Sequence, residues 1–131
     1  MSDYLENIFS LKNKTALITG GSKGIGAGIV SAFINAGANV VSLSRSKPIL
    51  EEQDSLSYYQ CDISDLVEFE RICKLVDCQY GGIDILVNAA GISLSSESFD
   101  NKFERFNKTL LINLVATYQC CEVASKFMHH N

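Results

Sequence analysis

The chain has 131 residues, 47% of them hydrophobic, and a formal net charge of −4. This length is enough for one domain with a modest core. One proline and the lack of low-complexity runs argue against a long disordered linker. An acidic chain also lacks the basic surface of nucleic-acid-binding proteins. We therefore predict a single domain over residues 1–131 with no nucleic-acid partner.

The N-terminal sequence and the apolar stretches predict a cytoplasmic location. The segment MSDYLENIFSLKNK has early acidic residues and no apolar core of a signal peptide. The longest apolar stretch, around residues 110–118, is interrupted by Asn113 and is too short to span a bilayer.

The cysteines predict small buried side chains in a reducing compartment rather than a metal site. None of them forms a CxxC pair, and only two adjacent histidines could join them. The residues concerned are Cys61, Cys73, Cys78, Cys120, Cys121, His129 and His130.

In the first half of the chain, apolar periodicity predicts strands separated by helices. Thr15–Thr19 is a short apolar run before a glycine and predicts a buried strand. Apolar residues then recur at helical spacing over residues 25–36, and Gly37 is the expected stop. Residues 39–44 and, more weakly, residues 56–61 predict two further strands. The segment between them contains Pro48 and has room for only a turn or two of helix.

The second half continues the alternation. Residues 66–76 have helical spacing, with Ser64 as the expected N-cap. Residues 83–88 predict a fourth strand, and apolar residues spaced by three or four predict one long helix over residues 103–128. This order of elements predicts an α/β fold, with a parallel sheet covered by helices on both faces.

A glycine-rich turn joins the first strand to the first of these helices. Its sequence, TGGSKGIG, places Gly20, Gly24 and Gly26 between strand and helix. Glycines allow a tight turn and bring backbone N–H groups close to a pyrophosphate, while the helix N-terminus favours negative charge. The spacing is GxxxGxG rather than the GxGxxG of long-chain dehydrogenases. Taken alone, the pattern also suits a turn with no ligand.

The turn resembles the TGxxxGIG signature of short-chain dehydrogenases/reductases. Three further segments are similar to motifs of that family in the same order: Cys61-Asp62-Ile63, Val87–Gly91 (VNAAG), and Ile112-Asn113-Leu114. The resemblance covers about residues 12–128 and implies a classical member of the family. It implies a Rossmann-type doubly wound parallel sheet, truncated after the fourth strand and the long helix that follows it.

The resemblance also implies a set of site residues. The aspartate would accept a hydrogen bond from the adenine amino group, and the small residues after the fourth strand would let the backbone pass close to the nicotinamide ribose. The implied catalytic residue is Asn113, and the implied cofactor-binding residues are Gly20, Ser22, Lys23, Gly24, Ile25, Gly26, Arg45, Asp62, Ile63, Asn88, Ala89, Ala90 and Gly91.

Four of the polar residues also have plain structural interpretations. Asp62 equally suits a cap of the following helix. Asn88 suits a turn at a strand end, and Asn113 suits a polar tie between a helix and its neighbour. Asp84 is expected to support the loop of the fourth strand rather than to touch a ligand.

The end of the second strand predicts NADP(H) rather than NAD(H). An acidic residue there would bind the ribose hydroxyls and repel a 2′-phosphate, but the chain has Ser44 followed by Arg45. Arginine has a planar donor fork suited to phosphate, and Lys23 adds a second cation. Ser46 and Lys47 are weaker candidates for the same role. Similar NADP(H)-preferring members of the family have basic residues at the positions of Lys23 and Arg45.

The remaining catalytic residues of the family do not occur in this sequence. Its catalytic tyrosine precedes a lysine by four residues, and none of the five tyrosines here has that spacing. We predict that this chain alone is inactive. We also predict that it is the NADP(H)-binding part of an oxidoreductase that acts on an alcohol/ketone pair. The alternative is a non-catalytic nucleotide-binding or dimerisation module.

Two further expectations concern the surface of the chain. The fourth strand should be an exposed edge carrying Ile83, Leu86 and Val87. The helix over residues 103–128 should show apolar residues through which similar proteins form homo-oligomers.

Overall fold

The computed structural model describes residues 2–46, 52–92 and 101–129. The helices and strands follow one another along the chain as the sequence predicts, with one additional helix at the N-terminus. They are α1 (Ser2–Phe9), β1 (Thr15–Thr19), α2 (Gly24–Asn35), β2 (Asn39–Ser44), β3 (Leu56–Gln60), α3 (Leu66–Tyr80), β4 (Ile85–Asn88), α4 (Lys102–Leu110), a π-helical segment (Leu111–Ala116) and α5 (Thr117–Ser125).

The strands form one parallel sheet in the order β3-β2-β1-β4. In the centre, Leu17 of β1 is paired with Val41 of β2 on one side and with Leu86 of β4 on the other. The chain therefore runs outward from β1 to β3 and then crosses back to the opposite side of β1. This arrangement confirms the predicted doubly wound α/β fold.

Alternate residues of the strands point to opposite faces of the sheet, and each face has its own core. Ala16, Ile18 and Val40 pack with Val30 of α2 on one face. On the other face, strand residues pack with α3, the π segment and α5, and Phe69 is fully buried there. Removal of a buried phenyl ring costs about 3–5 kcal/mol. The same core contains Ile112 of the π-helical segment, which lines the cleft described below.

Helix α3 begins at Leu66 as the sequence predicts, but its N-cap lies one residue later than predicted. Asp65, not Ser64, is its N-cap: the Asp65 carboxylate accepts a hydrogen bond from the Glu68 N–H at 3.2 Å. The Ser64 hydroxyl instead donates to Asp62 at 2.7 Å, so it is not available as a cap. At the other end the helix continues to Tyr80 and stops at Gly81, which has a φ of 81°.

The predicted boundaries of β3 and β4 are slightly too long. β4 starts at Ile85 rather than Ile83, because the Ile83 N–H donates to the Phe127 carbonyl instead of to a strand. Ile83 is only 2% exposed and belongs to the core, so the expectation that it lies on an exposed edge is wrong. Leu86 and Val87 are half-buried, and β4 is a terminal strand of the sheet in the part of the chain described.

The helix predicted over residues 103–128 is not one regular α-helix. It begins at Lys102, passes through the π-helical segment Leu111–Ala116 and ends as an α-helix at Ser125. Apolar spacing does not distinguish a π turn from an α turn, which is why the sequence pattern missed this segment. π turns are rare and occur often at functional sites.

Helix α1 at the N-terminus was not predicted from the sequence. Its apolar residues, such as Tyr4 and Phe9, are exposed. Lys47 and Pro48 lie outside the described residues. Among the described residues, no helix has the length and apolar character needed to cross a membrane. The cytoplasmic location stays a prediction.

Candidate functional site

A cleft of about 460 Å³ lies where the strands end at their carboxyl edge. Its walls come from the segments that follow β1, β2, β3 and β4 and from the π-helical segment. Ligands of open parallel sheets bind at this edge, where neighbouring connections leave in opposite directions. The lining residues are Gly20, Ser22, Lys23, Ile25, Gly26, Leu43, Ser44, Arg45, Ser46, Cys61, Asp62, Ile63, Ala89, Ala90, Gly91, Ile92 and Ile112.

Two glycines of the turn after β1 are required by close backbone approaches. Gly20 has a φ of 70°, and a Cβ atom there would lie 2.6 Å from the backbone of Ala90. A Cβ atom on Gly26 would lie 1.9 Å from the Gly20 carbonyl oxygen. The helix therefore starts directly against the turn, and the turn directly against the segment after β4.

The N-terminus of α2 has the features that an anion needs. The N-cap residue, Lys23, makes no side-chain hydrogen bond to the helix, and the first turn contains no acidic residue. A Cβ atom on Gly24, which has a φ of 59°, would meet nothing within 4 Å. Free N–H groups, the positive end of the helix dipole and open space beside them fit the pyrophosphate of a dinucleotide.

The end of β2 contributes a polar, positively charged wall. The Ser44 hydroxyl donates to the Ser46 carbonyl at 2.7 Å, and the Ser22 and Ser46 hydroxyls lie 3.2 Å apart. The Arg45 carbonyl accepts a hydrogen bond from the Gln60 amide at 3.1 Å, which fixes the backbone while the guanidinium stays exposed. Ser46, which the sequence proposed only as an assisting residue, thus connects this wall to the glycine turn.

Asp62 and Ile63 follow β3 and line the same cleft. Asp62 Oδ1 accepts hydrogen bonds from both the N–H (2.9 Å) and the hydroxyl (2.7 Å) of Ser64. These bonds, more than any other cause, lower the pKa of the Asp62 carboxyl, and the positive charges of Arg45 and Lys108 lower it further. Asp62 is therefore an ionised carboxylate in the cleft, and the interpretation of it as the cap of α3 is wrong because Asp65 has that role.

The segment after β4 is held in place by side chains from two directions. The N–H groups of Ala89 and Ala90 donate to the Thr19 carbonyl and hydroxyl oxygens. Asn113, in the π segment, accepts from the Ile92 N–H and donates to the Ile92 carbonyl, both at 2.8 Å. A Cβ atom on Gly91 would lie 3.3 Å from Asn113 Oδ1, so the glycine allows this contact. The interpretation of Asn113 as a tie between helix and loop is confirmed.

Eleven of the fourteen site residues implied by the sequence are among the lining residues. The exceptions are Gly24, Asn88 and Asn113. Asn88 is engaged elsewhere, since its amide donates to Cys121 Sγ at 3.2 Å. Asp84 lies at the opposite edge of the sheet, where its carboxylate accepts from the Thr15 N–H at 2.8 Å; this confirms its supporting role.

Five lining residues were not predicted as site residues: Leu43, Ser44, Cys61, Ile92 and Ile112. Leu43 and Ile92 had a usable signal, because each is adjacent to a polar or glycine residue at a strand end. Ile112 is contributed by a helix remote in sequence, and only the fold brings it to the cleft.

The parallel sheet and its carboxyl-end cleft define a Rossmann-type α/β domain. The sequence model described as short chain dehydrogenase matches residues 14–131. The chain therefore belongs to the short-chain dehydrogenase family, as its motifs predicted.

Relatives of this family are similar over nearly the whole chain. A 3alpha-hydroxysteroid dehydrogenase of Mediterraneibacter gnavus is 35% identical, with 90% of this chain and 51% of that protein covered. A D-threitol dehydrogenase of Mycolicibacterium smegmatis is 30% identical, with 92% and 49% covered. The chain thus spans about half the length of the curated relatives it matches.

A solved structure confirms the fold. The short-chain dehydrogenase of Leptospira borgpetersenii with bound NAD+ superposes with a TM-score of 0.80 at 29% identity, covering 93% of this chain and 48% of that one.

Proposed function

We propose that the residues lining the cleft form the NADP(H)-binding part of an oxidoreductase that acts on an alcohol/ketone pair. The observation that supports this proposal best is the combination of charges at the cleft. The uncapped N-terminus of α2 lies beside exposed Lys23 and Arg45, and β2 ends in Ser44 rather than in a carboxylate.

Each part of the cleft suits one part of the dinucleotide. The turn between Gly20 and Gly26 would hold the pyrophosphate through backbone N–H groups. Arg45 would bind the 2′-phosphate, for which a guanidinium fork is well shaped. Asp62 would accept from the adenine amino group, and the backbone of residues 89–91 would contact the nicotinamide ribose. When bound, the cofactor would supply or accept hydride.

The cofactor preference is tested by reversing one charge. NADPH and NADH affinities of the 131-residue chain are measured by fluorescence titration before and after the change Arg45→Asp. We expect NADPH binding to weaken at least about tenfold, because a charge-assisted contact is lost and a repulsive charge is gained. NADH binding should change by less than about threefold. The control, Lys74→Asp, makes the same kind of change at an exposed residue of α3 that does not line the cleft.

An equal loss of both affinities would contradict the 2′-phosphate contact. No binding of either nucleotide by the unaltered chain would contradict the cofactor proposal itself.

We further propose that the 131-residue chain has no reductase turnover of its own. Proton transfer must accompany hydride transfer to a carbonyl, and none of the tyrosines in this sequence is followed four residues later by lysine. The Asn113 side-chain amide is hydrogen-bonded to the Ile92 backbone. Any contribution of Asn113 to catalysis would therefore come from its positioning of the segment after β4. NADPH consumption by the purified chain with simple ketones would refute this proposal.

The surface of the long helix favours a second proposal, a homo-oligomer formed through residues 103–128. Phe103 is 71% exposed, and Phe106, Leu114 and Tyr118 are also exposed. Apolar patches of this kind are typical of interfaces. Light scattering after size-exclusion chromatography should show a mass above 14.4 kDa that falls on dilution and in the variant Leu114→Lys. A concentration-independent monomer would contradict it.

A further inference from the structure

The side chain of Ser42, in β2, is fully buried and its hydroxyl has no hydrogen-bond partner in the part of the chain that the structure describes. A buried hydroxyl without a partner costs free energy. Alanine at this position would keep the backbone pairing of Ser42 with Ile18 of β1 and would avoid that cost. The stability of the fold therefore does not explain the hydroxyl.

The Ser42 hydroxyl lies against Gly21, in the glycine turn after β1. A Cβ atom on Gly21 would be 2.2 Å from Ser42 Oγ, 3.2 Å from Ser42 Cβ and 3.0 Å from Val30 Cγ2 of α2. A Gly21 Cα–H bond therefore points at the hydroxyl oxygen, an arrangement that gives a weak Cα–H···O contact. Rotation of the hydroxyl would relieve only the first of the three approaches. Residue 21 thus rests on the sheet through Ser42 and has no room for a side chain of its own.

Gly21 does not line the cleft, but Gly20 and Ser22 on either side of it do. The Gly20 N–H donates to the carbonyl of Leu43 at 2.7 Å, and Leu43 follows Ser42 in β2. Strand β2 therefore holds the turn at two adjacent points, through the backbone of Leu43 and the side chain of Ser42. Consecutive Cα atoms stay about 3.8 Å apart, so a displacement of Gly21 also moves the backbone N–H groups next to it.

We propose that Ser42 is a positioning residue for the pyrophosphate-binding turn: acting through Gly21, its side chain sets how far the turn stands from the sheet. This role rests on the proposed NADP(H)-binding function. The motifs that predicted the cleft do not include Ser42, and the TGxxxGIG pattern leaves residue 21 open. Because NADPH and NADH both contain the pyrophosphate, Ser42 should affect the binding of the two dinucleotides equally.

A double-mutant cycle on the 131-residue chain tests whether the two residues act as a pair. We expect the NADPH and NADH dissociation constants to rise about tenfold for Gly21→Ala, which pushes the turn out of place, and about twofold for Ser42→Ala, which removes its support. In the double variant the added methyl group takes the space of the lost hydroxyl. The rise should then be about twofold, rather than the roughly twentyfold of independent changes.

The matched control background is Ser57→Ala, the same substitution at a half-buried residue of β3 that does not line the cleft. In this background Gly21→Ala should still weaken binding about tenfold, because nothing beside the turn has been removed. Urea denaturation should show that Ser42→Ala does not lower the free energy of unfolding, since the hydroxyl that it removes has no partner. A loss of affinity in Ser42→Ala is then not a loss of fold.

Independent effects of Gly21→Ala and Ser42→Ala on affinity would overturn the proposal, and so would rescue by Ser57→Ala as well as by Ser42→Ala. A loss on Ser42→Ala that is confined to one of the two dinucleotides would also overturn it, because the turn would then not be the part affected.

A second measurement needs no ligand and separates this inference from the cofactor proposal. Hydrogen exchange of the Gly20 N–H, which bonds to Leu43, is followed by NMR. Its protection should fall at least about fivefold in Gly21→Ala and recover when Ser42→Ala is added. If neither dinucleotide binds but this pattern is present, the cofactor proposal fails while the pairing of Ser42 with Gly21 stands.

Equal protection of the Gly20 N–H in the unaltered chain, the Gly21→Ala variant and the double variant would overturn the inference whatever the nucleotide result. If Gly21→Ala alone does not fold, recovery of the fold in the double variant supports the pairing, and a double variant that also fails to fold overturns it.

Discussion

Two glycines of α2, two residues apart, should respond in opposite ways to the same substitution. Gly26 lies at the start of the helix, where an added Cβ atom would be 1.9 Å from the Gly20 carbonyl oxygen. Gly28 lies one half-turn later, is exposed, and an added Cβ atom would meet nothing within 4 Å. Neither glycine has a positive φ, so the difference between the two positions comes from space and not from backbone conformation.

The cost of Gly26→Ala follows from how far the neighbours would have to move. Real Cβ atoms essentially never come within 3.0 Å of such an atom, so the helix start or the Gly20 peptide must shift by about 1 Å. The Gly20 peptide cannot shift freely, because its N–H donates to the Leu43 carbonyl at 2.7 Å and its Cα faces the Ala90 backbone. Overpacking of this kind costs about 1–3 kcal/mol, and we expect a value at the upper end.

Gly28→Ala should instead stabilise the protein. Alanine in a helix interior is favoured over glycine by about 0.5–1 kcal/mol, mainly because the unfolded chain loses freedom. Urea denaturation followed by circular dichroism measures both free energies of unfolding, and NADPH titration measures the affinities. Gly26→Ala should lower the affinity at least about tenfold, because it displaces the turn that we propose binds the pyrophosphate, whereas Gly28→Ala should leave the affinity unchanged. Free energies of unfolding for the two variants within about 0.5 kcal/mol of each other would refute the reasoning.

Three other changes test separate parts of the structure. Asp84→Ala should lower the free energy of unfolding by about 1 kcal/mol by removing the acceptor for the first N–H of β1, with nucleotide affinity unchanged; a loss of affinity instead would contradict its position opposite the cleft. Asn113→Ala removes both hydrogen bonds to Ile92, and in NADPH titrations it should weaken binding by about three- to tenfold; unaltered affinity would show that the segment after β4 needs no such tie. Burial raises the pKa of the Cys73 thiol from 9.0 to about 12. Above pH 9 the unfolded chain therefore loses a proton that the folded chain keeps, and the free energy of unfolding should fall between pH 9 and 12. Urea titrations across this range should show a shallower fall in Cys73→Ala than in the exposed control Cys78→Ala; identical slopes would contradict the assignment.

The sequence predicted the order of the strands and helices because local signals fix them. Buried runs such as Thr15–Thr19 and the stop at Gly37, which has a φ of 98°, depend only on neighbouring residues. Boundaries were less accurate where two polar residues compete for one role. Ser64 and Asp65 are both good caps, and the choice between them depends on the hydrogen bond that Ser64 makes to Asp62.

Features that depend on contacts distant in sequence could not be predicted from local patterns. Ile83 looked like an edge residue, but it is buried because the chain after α5 returns to it, with the Phe127 carbonyl accepting its N–H. The π turn around Asn113 is likewise invisible to apolar spacing. Most of the candidate site was nevertheless predictable, because the glycine turn and the strand ends lie at fixed places along the chain.

The way in which the cleft is built explains why a few side chains can set its specificity. The turn between Gly20 and Gly26 and the segment after β4 approach each other through backbone atoms, and backbone N–H groups bind phosphate without regard to the rest of a nucleotide. These parts are constrained by packing, since Gly20 and Gly26 cannot be replaced without displacing their neighbours. The side chains of Arg45 and Asp62, which line the cleft from strand ends, are exposed and can change at little cost to folding. Discrimination between dinucleotides with and without a 2′-phosphate should therefore follow from the charges of these side chains. Binding of the pyrophosphate, which both dinucleotides share, should follow from the backbone of the glycine turn.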